Sequence, residues 1–300
     1  MTIYTHQSEN INKTWFLMAG FFIFVIFIAW AFSWVYGNPS ILFFGVIFSV
    51  VMNVASYWYS DKLVLAMSHA KPIDFKENPE FYRIVENLSI TAGLPMPKLY
   101  LVDEAQPNAF ATGRDPEHGV VAVTSGILKI LDKEELTGVL AHEMSHIGNR
   151  DMLVSTMAVV LVGFVSLVSD FFLRSMFWGR GSEDHDHRVQ GFLVIFGIAL
   201  AILAPIIASL IRLAVSRKRE FLADASGALL TRYPEALASA LEKISANPSP
   251  MSTANHATAH LYISNPFKGK GATSFLTKLF MTHPPIEERV KILRGMNSSS

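Results

Sequence analysis

Four long apolar stretches constrain this chain more than any other feature: residues 15–36, 41–60, 152–173 and 191–211. Each holds roughly 20 residues, enough at about 1.5 Å per residue to cross a hydrocarbon core about 30 Å thick. The first contains Trp15, Phe21, Phe22, Phe24, Phe27 and Trp34 without a single charge. The third and fourth are uncharged until Asp170 and Arg212 near their ends. A helix on the surface of a soluble core keeps a polar face, and none of these stretches has one. The pattern therefore predicts four transmembrane helices arranged as two hairpins. Ala29-Trp30-Ala31 mimics a signal-cleavage site, but the apolar run is too long for a signal and a second span follows the 37–40 turn. An uncleaved anchor is expected.

Basic residues near the span ends set the orientation. Lys62, Lys71 and Lys76 follow the second stretch, Arg150 precedes the third, and Arg212, Arg217, Lys218 and Arg219 follow the fourth. The 37–40 turn has no basic residue; Arg174, Arg180 and Arg188 in the 174–190 loop are offset by acids. Both termini and the segments 61–151 and 212–300 are thus expected in the cytoplasm. Formal net charge is zero, which gives no reason to expect a nucleic-acid partner. The absence of cysteine excludes disulfides, thiol catalysis and Cys-ligated zinc, and suits a reducing compartment.

The layout is an N-terminal membrane hairpin (1–60), a soluble segment (61–151), a second hairpin (152–213) and a second soluble segment (214–300). Asn78-Pro79-Glu80 opens a helix that should stop near Gly93. Residues 98–102 and 119–124 read as strands of a small sheet. Asp132-Lys133-Glu134-Glu135 opens a further helix with acids in its first turn. No proline lies between Pro116 and Pro205, so that helix is expected to continue directly into the third span, with Gly148 as the one place that leaves room for a break. In the second segment, helices are expected over about 217–230, 234–246 and 284–294, with a Ser/Thr/Gly/Pro-rich loop at 247–282. The two soluble segments should pack together on one membrane face as an α+β domain.

The helix from 132 carries His142-Glu143-Met144-Ser145-His146. Positions i and i+4 share a helix face, so both histidines can hold one zinc ion while Glu143 acts as general base. Chance alone would give such a pentapeptide in about 2% of chains of this composition, so context must decide. A catalytic zinc needs a third protein ligand and an open position. The form with a third histidine six residues on fails, because that position is Met152. The other common form takes a Glu from a later helix, and Glu220 stands just past the fourth span on the same expected face. Asp224, one turn further, could accept a hydrogen bond from a ligand imidazole. The bland alternative makes both acids solvated partners of Arg217, Lys218 and Arg219. His256 and His260 share the i, i+4 spacing but lack the glutamate and are read as surface or packing residues. His185 and His187 belong to a loop on the opposite face.

Together these residues resemble the HtpX-type membrane zinc metalloproteases, gluzincins distantly related to the type I CAAX prenyl endopeptidases. The resemblance runs over nearly the whole chain: His-Glu-x-x-His before the third span, Glu-x-x-x-Asp after the fourth, Asn108-Ala109-Phe110-Ala111-Thr112-Gly113 upstream and His283-Pro284 downstream. It implies a mainly α integral membrane protein with a cytoplasmic gluzincin-type α+β domain. His142, His146 and Glu220 would bind zinc, Glu143 would move the proton, and Asn108 would belong to the substrate-binding segment. His283 and Arg289 match a His-Pro-x-x-x-x-Arg pattern expected near the metal, where either could stabilise an oxyanion. The resemblance implies cleavage of misfolded or damaged membrane proteins at the cytoplasmic face of a bacterial inner membrane. The alternatives are a CAAX-type processing enzyme or an idle scaffold. An intramembrane protease is disfavoured, because Lys133, Glu134, Glu135, Asn149, Arg150 and Asp151 surround the motif. Oligomeric state and cleavage preference are not legible.

Overall fold

The computed structural model describes residues 3–160, 164, 217–253, 257–267 and 284–297. Two long helices open the chain: α1 (Ile3–Tyr36) and α2 (Pro39–Met67). The bend between them follows from Gly37 at φ +60°, from the Asn38 side chain capping Ser40 N, and from Pro39 at the first helical turn. Within them, Asn10–Trp34 and Pro39–Met67 are apolar and long enough to cross a membrane. Trp15, Phe16, Phe43 and Phe44 point outward, as lipid-facing side chains would. The predicted third and fourth spans lie largely outside the described residues; of them only the start is seen, as helix α6 (Asp151–Val160).

The remaining elements form one layered unit. A mixed sheet in the order β1-β2-β4-β3 joins β1 (Lys71–Pro72), β2 (Lys98–Val102), β3 (Ala109–Thr112) and β4 (Val120–Thr124). The β2–β4 pair is parallel and the others antiparallel. Residues 109–112, with no strand assigned from sequence, are the edge strand β3. On the sheet lie α3 (Pro79–Ala92), α4 (Ser125–Ile130) and α5 (Lys133–Gly148). Around α5 gather α7 (Arg217–Thr231), α8 (Pro234–Ala246) and α9 (Ile286–Asn297).

α5 is the centre of the domain, and its start is fixed locally. Asp132 accepts from Glu135 N while the Glu135 side chain accepts from Asp132 N, a reciprocal cap. Glu135 also accepts from Ser239 and Lys243, which ties α5 to α8. Val139, Leu140, Met144 and Ile147 enter the main core with Val121, Val123, Leu237 and Leu241.

One sequence expectation fails here: α5 does not continue into the third span. It ends at Gly148, Asn149 caps it, Arg150 takes a left-handed φ of +57°, and helix resumes at Asp151. Gly148 is the one sequence signal at the break, and a lone glycine does not foretell the left-handed turn that the non-glycine Arg150 takes two residues on.

Candidate metal centre and active site

α5 turns His142, Glu143 and His146 into the interior, and α7 brings Glu220 and Asp224 against the same face. The helices can approach this closely because residue 227 is glycine. A Cβ there would lie 3.0 Å from His142 N. The two imidazole Nε2 atoms stand 3.2 Å apart, and the Glu220 carboxylate oxygens reach within 3.8 Å of His142 Nε2 and 3.7 Å of His146 Nε2. One ligand atom from each residue lies within 4.8 Å of the others. Four ligands held tetrahedrally at about 2.1 Å from one ion would be about 3.4 Å apart, so the spacing fits.

The charge balance also fits. Each histidine turns Nδ1 towards a carboxylate: His142 to Asp224 Oδ1 at 2.9 Å, His146 to Asp151 Oδ2 at 3.2 Å. A carboxylate only accepts, so each Nδ1 carries the hydrogen and each Nε2 turns inward towards Glu220. Two ring nitrogens and a carboxylate facing one another in a buried space require positive charge between them, a proton or a metal ion. His146 registers that demand: burial alone would lower its pKa, but the bond to Asp151 and the Glu220 charge raise it to about 9. Metal ligation displaces that proton.

Glu143 is 2% exposed. Burial outweighs the nearby histidines and pushes its pKa up, which moves it towards the range useful for a base at neutral pH. It lines a small cavity with His142, His146, Glu220, Ala111 and His260. His260, taken from sequence as a surface or packing residue, is in this wall, 2% exposed, its Nε2 3.2 Å from Ser155 O. Its companion His256 lies outside the described residues, as do His185, His187 and His283.

Two further expected site residues have buried partners within the chain. Arg289, expected to stabilise an oxyanion, forks onto Asp224 with Nε–Oδ2 at 2.8 Å and Nη2–Oδ1 at 2.7 Å. It is fully buried behind the ligands, and the Asp224 carboxyl responds: burial would raise its pKa, yet the guanidinium holds it at about 2. Asn108, expected to meet substrate, has a fully buried side chain bonded to the chain itself. Its Nδ2 donates to Ser264 O at 2.8 Å and its Oδ1 accepts from Ser264 N at 3.1 Å.

That contact belongs to a strap invisible in the sequence. Met251 N donates to Pro266 O at 3.1 Å and brings residues 251–253 together with the far end of 257–267. Glu104 accepts from Ser252 N and Thr253 N, Gln106 donates to Asn265 O, and Ala109 O accepts from Ile263 N at 3.0 Å. Glu104, Gln106 and Asn108, all in the segment that leads into β3, hold the strap with their side chains. Composition marked this stretch as irregular; that Tyr262 and Ile263 would be buried required the partner surface.

The chain matches peptidase family M48 over residues 76–297. It is 46% identical to a protein named Protease HtpX homolog from Caldanaerobacter subterraneus subsp. tengcongensis, over 98% of each chain. It is 51% identical to a Protease HtpX homolog from Tropheryma whipplei (strain Twist), over 81% of each. Among solved structures, Ste24p of S. mikatae covers 97% of this chain and 67% of its own at 17% identity and a TM-score of 0.49, too distant to bear on function. With three residues placed to hold a metal ion, a buried glutamate beside them and apolar helices long enough to span a bilayer, the chain belongs to peptidase family M48 and is a membrane metalloprotease.

Proposed function

We propose that the protein is a zinc endopeptidase with four transmembrane helices, and that it hydrolyses misfolded or damaged membrane proteins at the cytoplasmic face. The observation that carries the reading is the cluster of His142, His146 and Glu220, each His braced by its own carboxylate, with Glu143 in the same cavity. Oxygen-poor, His-rich three-residue sets with one open position suit zinc. When bound, zinc would polarise the scissile carbonyl and acidify the attacking water.

The chain's own residues do the rest. Glu143 takes the proton from water and hands it to the leaving amine, a shuttle favoured by its raised pKa. Asp224 and Asp151 keep the ligand imidazoles in one tautomer. The substrate extends the sheet at β3. Ala109 O already accepts from the strap, and Ala111, two residues on, turns its N–H and C=O the same way and lines the cavity. His283 remains the residue proposed for the oxyanion, with Asn108 shaping the edge by fixing the strap. Basic residues following the second and fourth apolar stretches support the orientation. The substrate class rests on the resemblance to HtpX-type enzymes.

The test is cleavage of an unfolded membrane protein by the detergent-purified enzyme. Chelator should abolish it, zinc should restore it, and Glu143→Ala should be inactive while still binding metal. Chelator-resistant cleavage, or an active alanine variant, would remove the reading. Cleavage confined to prenylated C-terminal peptides would favour the processing alternative.

A further inference from the structure

We propose that Asn10, at the membrane entry of α1, is a positioning residue of the metal centre, so that the first membrane helix forms part of the site. The inference rests on metal binding by His142, His146 and Glu220. Asn10 is 3% exposed, and its carboxamide makes three hydrogen bonds. Nδ2 donates to Asp151 Oδ1 at 2.7 Å and to Asn149 O at 3.1 Å, while Oδ1 accepts from Arg219 Nη1 at 3.2 Å. Asp151 uses its other oxygen for His146 Nδ1 at 3.2 Å. Arg219, whose Nε lies 3.6 Å from Asp151 Oδ1, directly precedes Glu220 in α7. One side chain on α1 therefore joins the brace of His146 to the backbone position next to Glu220.

The break between α5 and α6 gives this contact its consequence. Were the helix continuous, residue 151 would lie about 140° around the axis from residue 146, at about 100° per residue, and could not reach its ring. The left-handed turn at Arg150 brings Asp151 back to His146. Such a conformation costs a non-glycine residue about 1–2 kcal/mol and persists only where neighbours hold it. Asn10 holds it from both sides, through Asn149 O and Asp151. It also gives the buried Asp151 carboxylate a neutral donor besides Arg219. α1 is itself seated by an apolar stripe, Leu17, Phe21 and Val25, which clusters with Val154 and Ala158 of α6. Movement of α1 against α6 in the bilayer would shift Asp151 and with it the His146 ring.

The test is zinc affinity of the full-length detergent-solubilised protein, by competition with a chromogenic chelator, with the visible absorption of the cobalt-loaded protein as a second readout. Losing an outer partner of a metal ligand costs about 10–100-fold in affinity. Asn10→Leu should weaken zinc binding within that range and alter the cobalt spectrum. Asn10→Asp, nearly isosteric but placing an acceptor against Asp151, should be at least as harmful; an Asp variant equal to wild type would mean that Asn10 only fills space, and would overturn the proposal. The combination with Asp151→Ala guards against a general folding defect. If Asn10 acts through Asp151, Asn10→Leu adds little to the loss already caused by Asp151→Ala. Fully multiplicative losses would overturn the proposal. A wild-type protein that binds no zinc, or binds it unchanged in His142→Ala, removes the metal reading and this inference together; normal zinc binding with an indifferent Asn10 removes only the inference.

Discussion

His142 leans on Asp224 inside the water-soluble domain, whereas His146 leans on Asp151 where that domain meets the first membrane helix. The Asp224 brace is ionic: a buried guanidinium forks onto it with two bonds under 3 Å. The Asp151 brace is mainly amide, with Asn10 donating at 2.7 Å and Arg219 standing off at 3.6 Å. The two halves of the candidate metal site thus draw on different parts of the molecule. His142 is fixed by the packing of α5, α7 and α9, elements of the soluble fold. His146 is oriented by Asp151, which follows a turn that Asn10 of α1 bonds on both sides. On the proposal made above, the site depends on how the domain sits on its first hairpin.

The largest effect that could break this contrast is Arg289→Met. It leaves the Asp224 carboxylate buried without its cation and should cost about 3–5 kcal/mol in denaturant unfolding. Arg219→Met, with the Asn10 amide still in place, should cost less than half of that. Equal losses would mean that the two braces are the same kind of structure after all.

Gly227→Ala should come next, at about 1–3 kcal/mol for overpacking, because its Cβ would press on His142 N. It should also weaken zinc binding. Gly138→Ala, whose Cβ would lie 2.9 Å from Leu237 N, should lose similar stability with zinc affinity intact. Matching zinc losses in both would show that helix spacing in general, and not the α5–α7 approach, sets the site.

The smallest effect sharpens the ionic side. Asp224 has a folded pKa of about 2 against an ordinary 3.8. Because the folded value is the lower one, its contribution is present above about pH 4 and is lost as pH falls towards 2. The difference is about 2 kcal/mol at roughly 1.4 kcal/mol per pKa unit. The stability advantage of wild type over Asp224→Asn should therefore shrink across that window. An advantage constant from pH 6 to pH 2 would contradict the Arg289 assignment.

Local chemistry was well written in the chain. Asn78-Pro79, Gly93, the Asp132–Glu135 box and Pro234 each set a helix end within a residue or two of its observed place, because capping groups act on backbone atoms a few residues away. Glu220 and Asp224 were found from a spacing rule combined with membrane topology, and the fold brings both to His142. Asp151 was missed although it is five residues from His146. Helical periodicity puts it on the wrong face, and only the left-handed turn turns it back. Asn10 was missed for a different reason, and sequence left open whether His260 is exposed or packed: their partners are 141 and 105 residues away, beyond any periodic signal.

The sequence by itself determined the apolar, span-length character of the first hairpin, the helix carrying the His-Glu-x-x-His motif, two strands of the sheet and the three candidate metal ligands that the fold brings together. These depend on hydropathy, capping and i, i+4 geometry, all local properties of a chain. The tertiary structure decided where α5 breaks, which carboxylate orients each imidazole, that Arg289 serves Asp224, and that a buried strap borders β3. Each of those is a choice among buried polar groups for partners distant in sequence. A buried donor or acceptor left unpaired costs about 1–3 kcal/mol, so packing, and not local preference, makes the choice.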